Sequence, residues 1–133
     1  MSARYGDSDD SFERMKAVTL ARAHGAANVI GGLWPLLHME SFEAAFGPKA
    51  DRWLVKTVGG LLVVNGVTLL GTTSSPESVA QARRLGVGTA AVLAMIDLIY
   101  VAKGRISKMY LADAAAEIGL IVAWCLPRYR ASA

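Results

Sequence analysis

The residues best suited to chemistry are acids set in apolar surroundings. Asp113 and Glu117 lie inside Met109–Pro127, MYLADAAAEIGLIVAWCLP, and a spacing of four puts both on one face of a helix. Asp97 interrupts the apolar second half of Leu85–Ala102, and Lys56 sits one turn inside the start of Trp53–Thr72. A charge at the centre of a membrane helix costs about 2.5–3.5 kcal/mol on insertion scales, so such groups turn toward protein. Counting about 1.5 Å per residue from each helix centre gives their depths. Glu117 and Asn28 fall near the midplane. Lys56, Asp97 and Asp113 fall together on the side of the first and third loops, and His24 and Asn65 on the side of the termini. This arrangement predicts a buried ion pair between Lys56 and Asp97 or Asp113. It leaves Glu117 to hydrogen-bond Asn28, Asn65 or His24, with burial and the charge of Asp113 both favouring its neutral form.

A binding site built from these groups comprises Glu117, Asp113, Asp97, Lys56, Asn65, Asn28 and His24. In an enzyme, Glu117, Asp113 and Asp97 would be the catalytic acids and bases. No metal or cofactor is expected. Two carboxylates without a histidine pair on other helices fall short of a di-iron site. His24 and His38 lie on one helix, too far apart to hold one haem iron from opposite sides. A single cysteine, Cys125, excludes an internal disulfide and a thiol–disulfide cycle.

The elements that must hold these residues are helical. The chain has 133 residues, 53% of them hydrophobic, and a mean hydropathy of +0.36, too apolar for an ordinary soluble domain. It reads as one antiparallel up-and-down four-helix transmembrane bundle, residues 1–133, with helices over about 17–38, 53–72, 85–102 and 109–127. The second is the clearest, because Thr57–Pro76 carries no ionisable residue and about 20 such residues span a bilayer core. It alone has an unbroken uncharged run of that length, so a soluble helical domain is the competing class. Residues 1–15 read as a mobile polar tail, with Ser11 a candidate N-cap. Glu40–Phe46 reads as a short interfacial helix stopped by Gly47 and Pro48. Ser75-Pro76-Glu77 is a helix-start signal, and Lys103-Gly104-Arg105 a helix-stop signal. Gly25, Gly31, Gly32, Gly59, Gly60 and Gly66 offer flat surfaces for close helix approach.

The formal charge is +3, but the basic residues stand singly at the ends of apolar segments. They resemble membrane-edge anchors, and nucleic acid is excluded as a partner. Arg4, Arg14, Lys16, Arg83, Arg84, Arg128 and Arg130 share the face of the termini and second loop. Lys49, Arg52, Lys103, Arg105 and Lys108 lie opposite. The excess places both termini in the cytoplasm. Glu43, Lys49 and Arg52 are expected at the surface near the headgroups.

Trp34-Pro35, Ser41-Phe42-Glu43, Gly47-Pro48-Lys49 and Asp51-Arg52-Trp53-Leu54-Val55 together resemble a stretch found in small, uncharacterised four-helix integral membrane proteins of bacteria. The likeness covers about a quarter of the chain. It implies a multi-pass protein of the bacterial inner membrane and brings no activity with it. The small multidrug transporters are similar in size, but their essential glutamate lies in the first helix, where this chain has none.

Three functions fit these observations. The bundle could bind or transport a small lipophilic or cationic molecule in a polar cavity. It could be a membrane enzyme whose carboxylates act on an isoprenoid or epoxide-like substrate. It could be a structural or assembly subunit of a membrane complex. The lipid bilayer is the expected surrounding, and a second copy of the chain is a further candidate partner.

Overall fold

A computed structural model describes residues 2–126, with side chains from Gly6 onward. Five helices follow one another: α1 Ser2–Leu37, α2 Met39–Phe46, α3 Arg52–Leu70, α4 Pro76–Ala102 and α5 Tyr110–Cys125. The four long helices pack as two antiparallel pairs, α1 with α3 and α4 with α5, and α2 is the short interfacial element. The expected all-α arrangement of four main helices and a connector is therefore present. Two boundaries differ. Helix α1 begins at Ser2, so residues read as a mobile tail continue the first helix. Helix α4 runs unbroken from Pro76 to Ala102, so it starts well before the expected position near residue 85. The expected end of the last helix at Pro127, with Arg128 and Arg130, lies outside the described residues.

The local stops and starts follow ordinary cap chemistry. Ser75 Oγ accepts from Ser78 N at 3.2 Å ahead of Pro76, which fits a first position where no N–H is needed. Gly104 adopts φ +69°, its N–H donates to Val101 O at 3.0 Å, and Arg105 N donates to Tyr100 O at 2.9 Å. That pair of bonds is a Schellman stop.

Glycines set the α1–α3 contact. A Cβ on Gly25 would stand 2.6 Å from Gly66 O, and one on Gly59 would stand 2.6 Å from Gly32 O. Each helix thus presents two glycines seven apart, and the backbones touch where side chains are missing. Gly31 and Gly60 face open space. At the end of the bundle nearest the termini, Ala17, Ala21, Leu69, Val79, Ala82 and Trp124 form the hydrophobic core and join all four long helices. At the other end Trp34, Phe42, Phe46 and Tyr110 stack in sequence, with centroid distances of 5.6, 5.0 and 4.7 Å along the row.

Among the described residues α3 and α4 are long and apolar enough to cross a membrane. The four-crossing expectation is met to that extent. Helix α1 carries Arg22 and His24, and α5 is 16 residues with Asp113 in its first turn.

Candidate functional site

The carboxylates meet where α4 turns back into α5. Asp97 faces inward from α4, 4% exposed, and Glu117 from α5, 7% exposed. Asp113, half-buried one turn before Glu117, is near enough to Asp97 to interact with it electrostatically. Glu117 is near enough to interact electrostatically with both. Tyr110, one helical turn before Asp113, is near enough to feel the charges of Asp97 and Asp113. Asp97 Oδ2 and Glu117 Oε2 are buried without a hydrogen-bond partner among the described residues. An ionised carboxylate only accepts hydrogen bonds, so the cluster calls for a proton, a cation or another donor. Among the described residues no group of His, Cys, Asp and Glu has metal-holding geometry.

Lys56 does not complete this cluster. Its side chain is exposed on α3 and lines a polar cavity beside the end of α1, and among the described residues it makes no ion pair. The expected pair with Asp97 or Asp113 is overturned. Depth along a helix fixes height and not direction. Gly59 and Gly66 turn one side of α3 to α1. Lys56, three residues before Gly59, shares that side, so it lies beside the end of α1 and not toward the acids of α4 and α5.

The neutral polar groups also take other partners than expected. Asn28 Nδ2 donates to Asn65 Oδ1 at 2.9 Å, and Asn65 Nδ2 donates to Thr89 Oγ1 at 2.7 Å. This ladder ties α1 to α3 and α3 to α4. His24 is fully buried, and its Nδ1 accepts from Trp124 Nε1 at 3.2 Å. Accepting at Nδ1 puts the proton of a neutral imidazole on Nε2, which has no partner among the described residues. Glu117 therefore bonds to none of Asn28, Asn65 and His24. Thr89 and Trp124 are the functional partners that sequence reasoning missed, although both lie at depths matching Asn65 and His24.

The connector is the second polar centre. Glu43 Oε2 accepts from Lys49 N at 2.8 Å, and Glu43 pairs with Arg52. The Lys49 N–H first, and Arg52 as well, hold the Glu43 carboxyl below the usual carboxylate range against the opposing effect of burial. Burial pushes the Lys49 ammonium down, with the charge of Glu43 working the other way. Of the three residues expected near the headgroups, Arg52 is exposed and the other two are half-buried. Lys49 Nζ lies 4.6 Å from the Tyr110 ring centre, so the connector braces the helix that carries Asp113 and Glu117.

Arg22 donates to Thr72 O at 3.4 Å and Arg83 to Trp124 O at 3.3 Å. Both act at helix C-terminal ends, where a cation complements the dipole. Comparison with protein-family models, with curated proteins and with solved structures finds no match to this chain.

Proposed function

We propose that this is a multi-pass integral membrane protein that binds a small lipophilic cation at the Asp97–Asp113–Glu117 cluster. Membrane insertion is supported by where the apolar residues point. Only 17% of the spanning window of α3 and 22% of that of α4 are buried within the fold. A core helix of a soluble protein would be mostly covered. Trp53, Leu61, Val64, Val92 and Met95 instead lie exposed on α3 and α4, as lipid-facing residues do. Helices α1 and α5 complete the bundle, and the resemblance of residues 34–55 to a stretch of small four-helix bacterial membrane proteins supports an inner-membrane location.

The observation that carries the binding proposal is the pair of buried, unpartnered oxygens, Asp97 Oδ2 and Glu117 Oε2. Among the described residues three acids share one site with no protein cation paired to them, and unpaired charge inside a membrane is costly. A lipophilic cation entering from the bilayer supplies both the missing charge and the apolar contact.

Equilibrium binding of tetraphenylphosphonium to protein in nanodiscs tests this, with the lipophilic anion tetraphenylborate as control. The intact protein is expected to bind the cation selectively. Glu117→Gln and Asp97→Asn are each expected to weaken binding about tenfold, the equivalent of about 1.4 kcal/mol. Equal binding of cation and anion, or affinity unchanged in both variants, would refute the site.

A further inference from the structure

The polar cavity that receives Lys56 has the composition of a lipid-headgroup site. It lies between the end of α1 and the start of α3, has a volume of about 380 Å³, and is lined by Leu36, His38, Glu40, Arg52 and Lys56 among others. Ligand sites generally span about 300–1,000 Å³. Lys56 stands one turn after Arg52, so the two cations share a face of α3. Arg52 spends one edge of its guanidinium on Glu43, while its side chain remains 57% exposed. A guanidinium has five N–H donors, so further donors remain.

Two more features add donors. Asp51 makes no side-chain cap bond at the start of the 19-residue α3, and Leu54 N donates to Asp51 O at 3.1 Å, which leaves the N–H groups of Arg52 and Trp53 at the positive end of the dipole. Ser41 N donates to His38 Nδ1 at 3.2 Å, which puts the proton of the neutral imidazole on Nε2. Against these donors stands one free acid. Glu40 lines the cavity and, among the described residues, makes no ion pair.

We infer that this cavity binds the headgroup of a zwitterionic phospholipid with a primary amine, its phosphate on Lys56 and Arg52 and its ammonium on Glu40. The charges account for the choice. Arg52 is balanced by Glu43, leaving Lys56 and Glu40 as one positive and one negative group. A purely anionic headgroup would meet the Glu40 carboxylate, and a quaternary ammonium could not donate hydrogen bonds to it. The apolar end of the ligand has a path as well, since Leu37 beside the cavity is 77% exposed. The inference rests on the membrane reading and is independent of the cation site.

Native mass spectrometry of the detergent-purified protein, with phosphatidylethanolamine, phosphatidylcholine and phosphatidylglycerol of matched chains added in equal amounts, gives the test. Preferential retention of phosphatidylethanolamine is expected. Lys56→Met should lower that retention about fivefold, the scale of one cation at a membrane surface. Glu40→Gln should reverse the preference toward phosphatidylglycerol. Equal retention of the three lipids, or variants that behave as the parent, would overturn the assignment. Competition by soluble glycerophosphoethanolamine at lipid-like concentrations would overturn it too, showing that the ligand is a free headgroup. The same preparation is first washed as membranes in alkaline carbonate. A chain released by that wash refutes the membrane reading and this one together, whereas a retained chain without lipid preference refutes the headgroup site alone.

Discussion

The two ends of the bundle interior handle buried polarity in opposite ways. Toward the termini, Asn28, Asn65, Thr89, Trp124 and Nδ1 of His24 bond to one another across helices, beside a core that joins all four long helices. Of these groups Nε2 of His24 alone is buried without a partner among the described residues. Toward the connector, among the described residues, Asp97, Asp113 and Glu117 gather without a cation and two of their oxygens have no partner. Satisfied polar groups fix which faces of the helices meet, as they do in other bundles. Unsatisfied ones weaken a fold and are kept where a ligand or proton completes them. One end reads as scaffold and the other as site.

The strongest way to break the scaffold end is to part its closest helices. Gly66→Ala puts a Cβ against Gly25 O and 2.8 Å from Val29 N, backbone atoms that cannot swing aside. A loss of about 3 kcal/mol is expected, at the upper end for overpacking, read from unfolding in mixed micelles. Gly60→Ala, which meets open space, should be neutral or gain up to about 1 kcal/mol from helix propensity. Equal losses in the two variants would mean the α1–α3 seam lies elsewhere.

Trp124→Phe keeps the buried ring but strips the donor from His24. Leaving Nδ1 unpaired should cost about 1–3 kcal/mol, and His24→Leu in the same chain should recover part of it. Additive losses in the double variant would show that the two side chains do not interact. A smaller effect is expected at the ladder. Asn65→Leu removes both rungs, and interhelical hydrogen bonds in membranes average about 0.6 kcal/mol with a maximum near 1.7. The smallest effect belongs to the connector. The Glu43 carboxyl titrates lower in the fold than in the unfolded chain, so its contribution is present above the unfolded value and fades as pH falls through the folded one. Glu43→Gln should lower stability slightly at neutral pH, with the difference from the parent vanishing as pH falls through the folded value, so the acid side of the variant's curve is flatter. A variant curve that parallels the parent would remove the Lys49 and Arg52 contacts from the account.

Much of the scaffold was legible before any coordinates. Apolar run lengths and cap residues such as Ser75, Pro76 and Gly104 mark the helices, because each acts within its own segment. The nearness of Asp97 and Asp113 was legible too, since the depth count sets both on the side of the first and third loops, and a spacing of four puts Glu117 on the same face as Asp113. The rotation of each helix about its axis was not. Among six glycines the sequence offers as contact surfaces, Gly25, Gly32, Gly59 and Gly66 make the seam while Gly31 and Gly60 face outward, and that choice sends Lys56 away from the acids. Nor does the polar run Asp7–Ser11 declare itself helical; it extends a helix whose apolar part lies further along.

The contrast between scaffold and site is tested most directly by the unfolding free energy of an Asp97→Asn/Glu117→Gln variant, measured in lipid without ligand. Both substitutions keep the shape and remove the charge, putting an N–H donor where a carboxylate oxygen stood. If the acids serve a ligand, their absence relieves repulsion, and the variant should match or exceed the parent in stability. A loss of about 2 kcal/mol or more, comparable to breaking a hydrogen bond to a charged group, would show instead that the carboxylates hold the fold together, and the site would be a second scaffold.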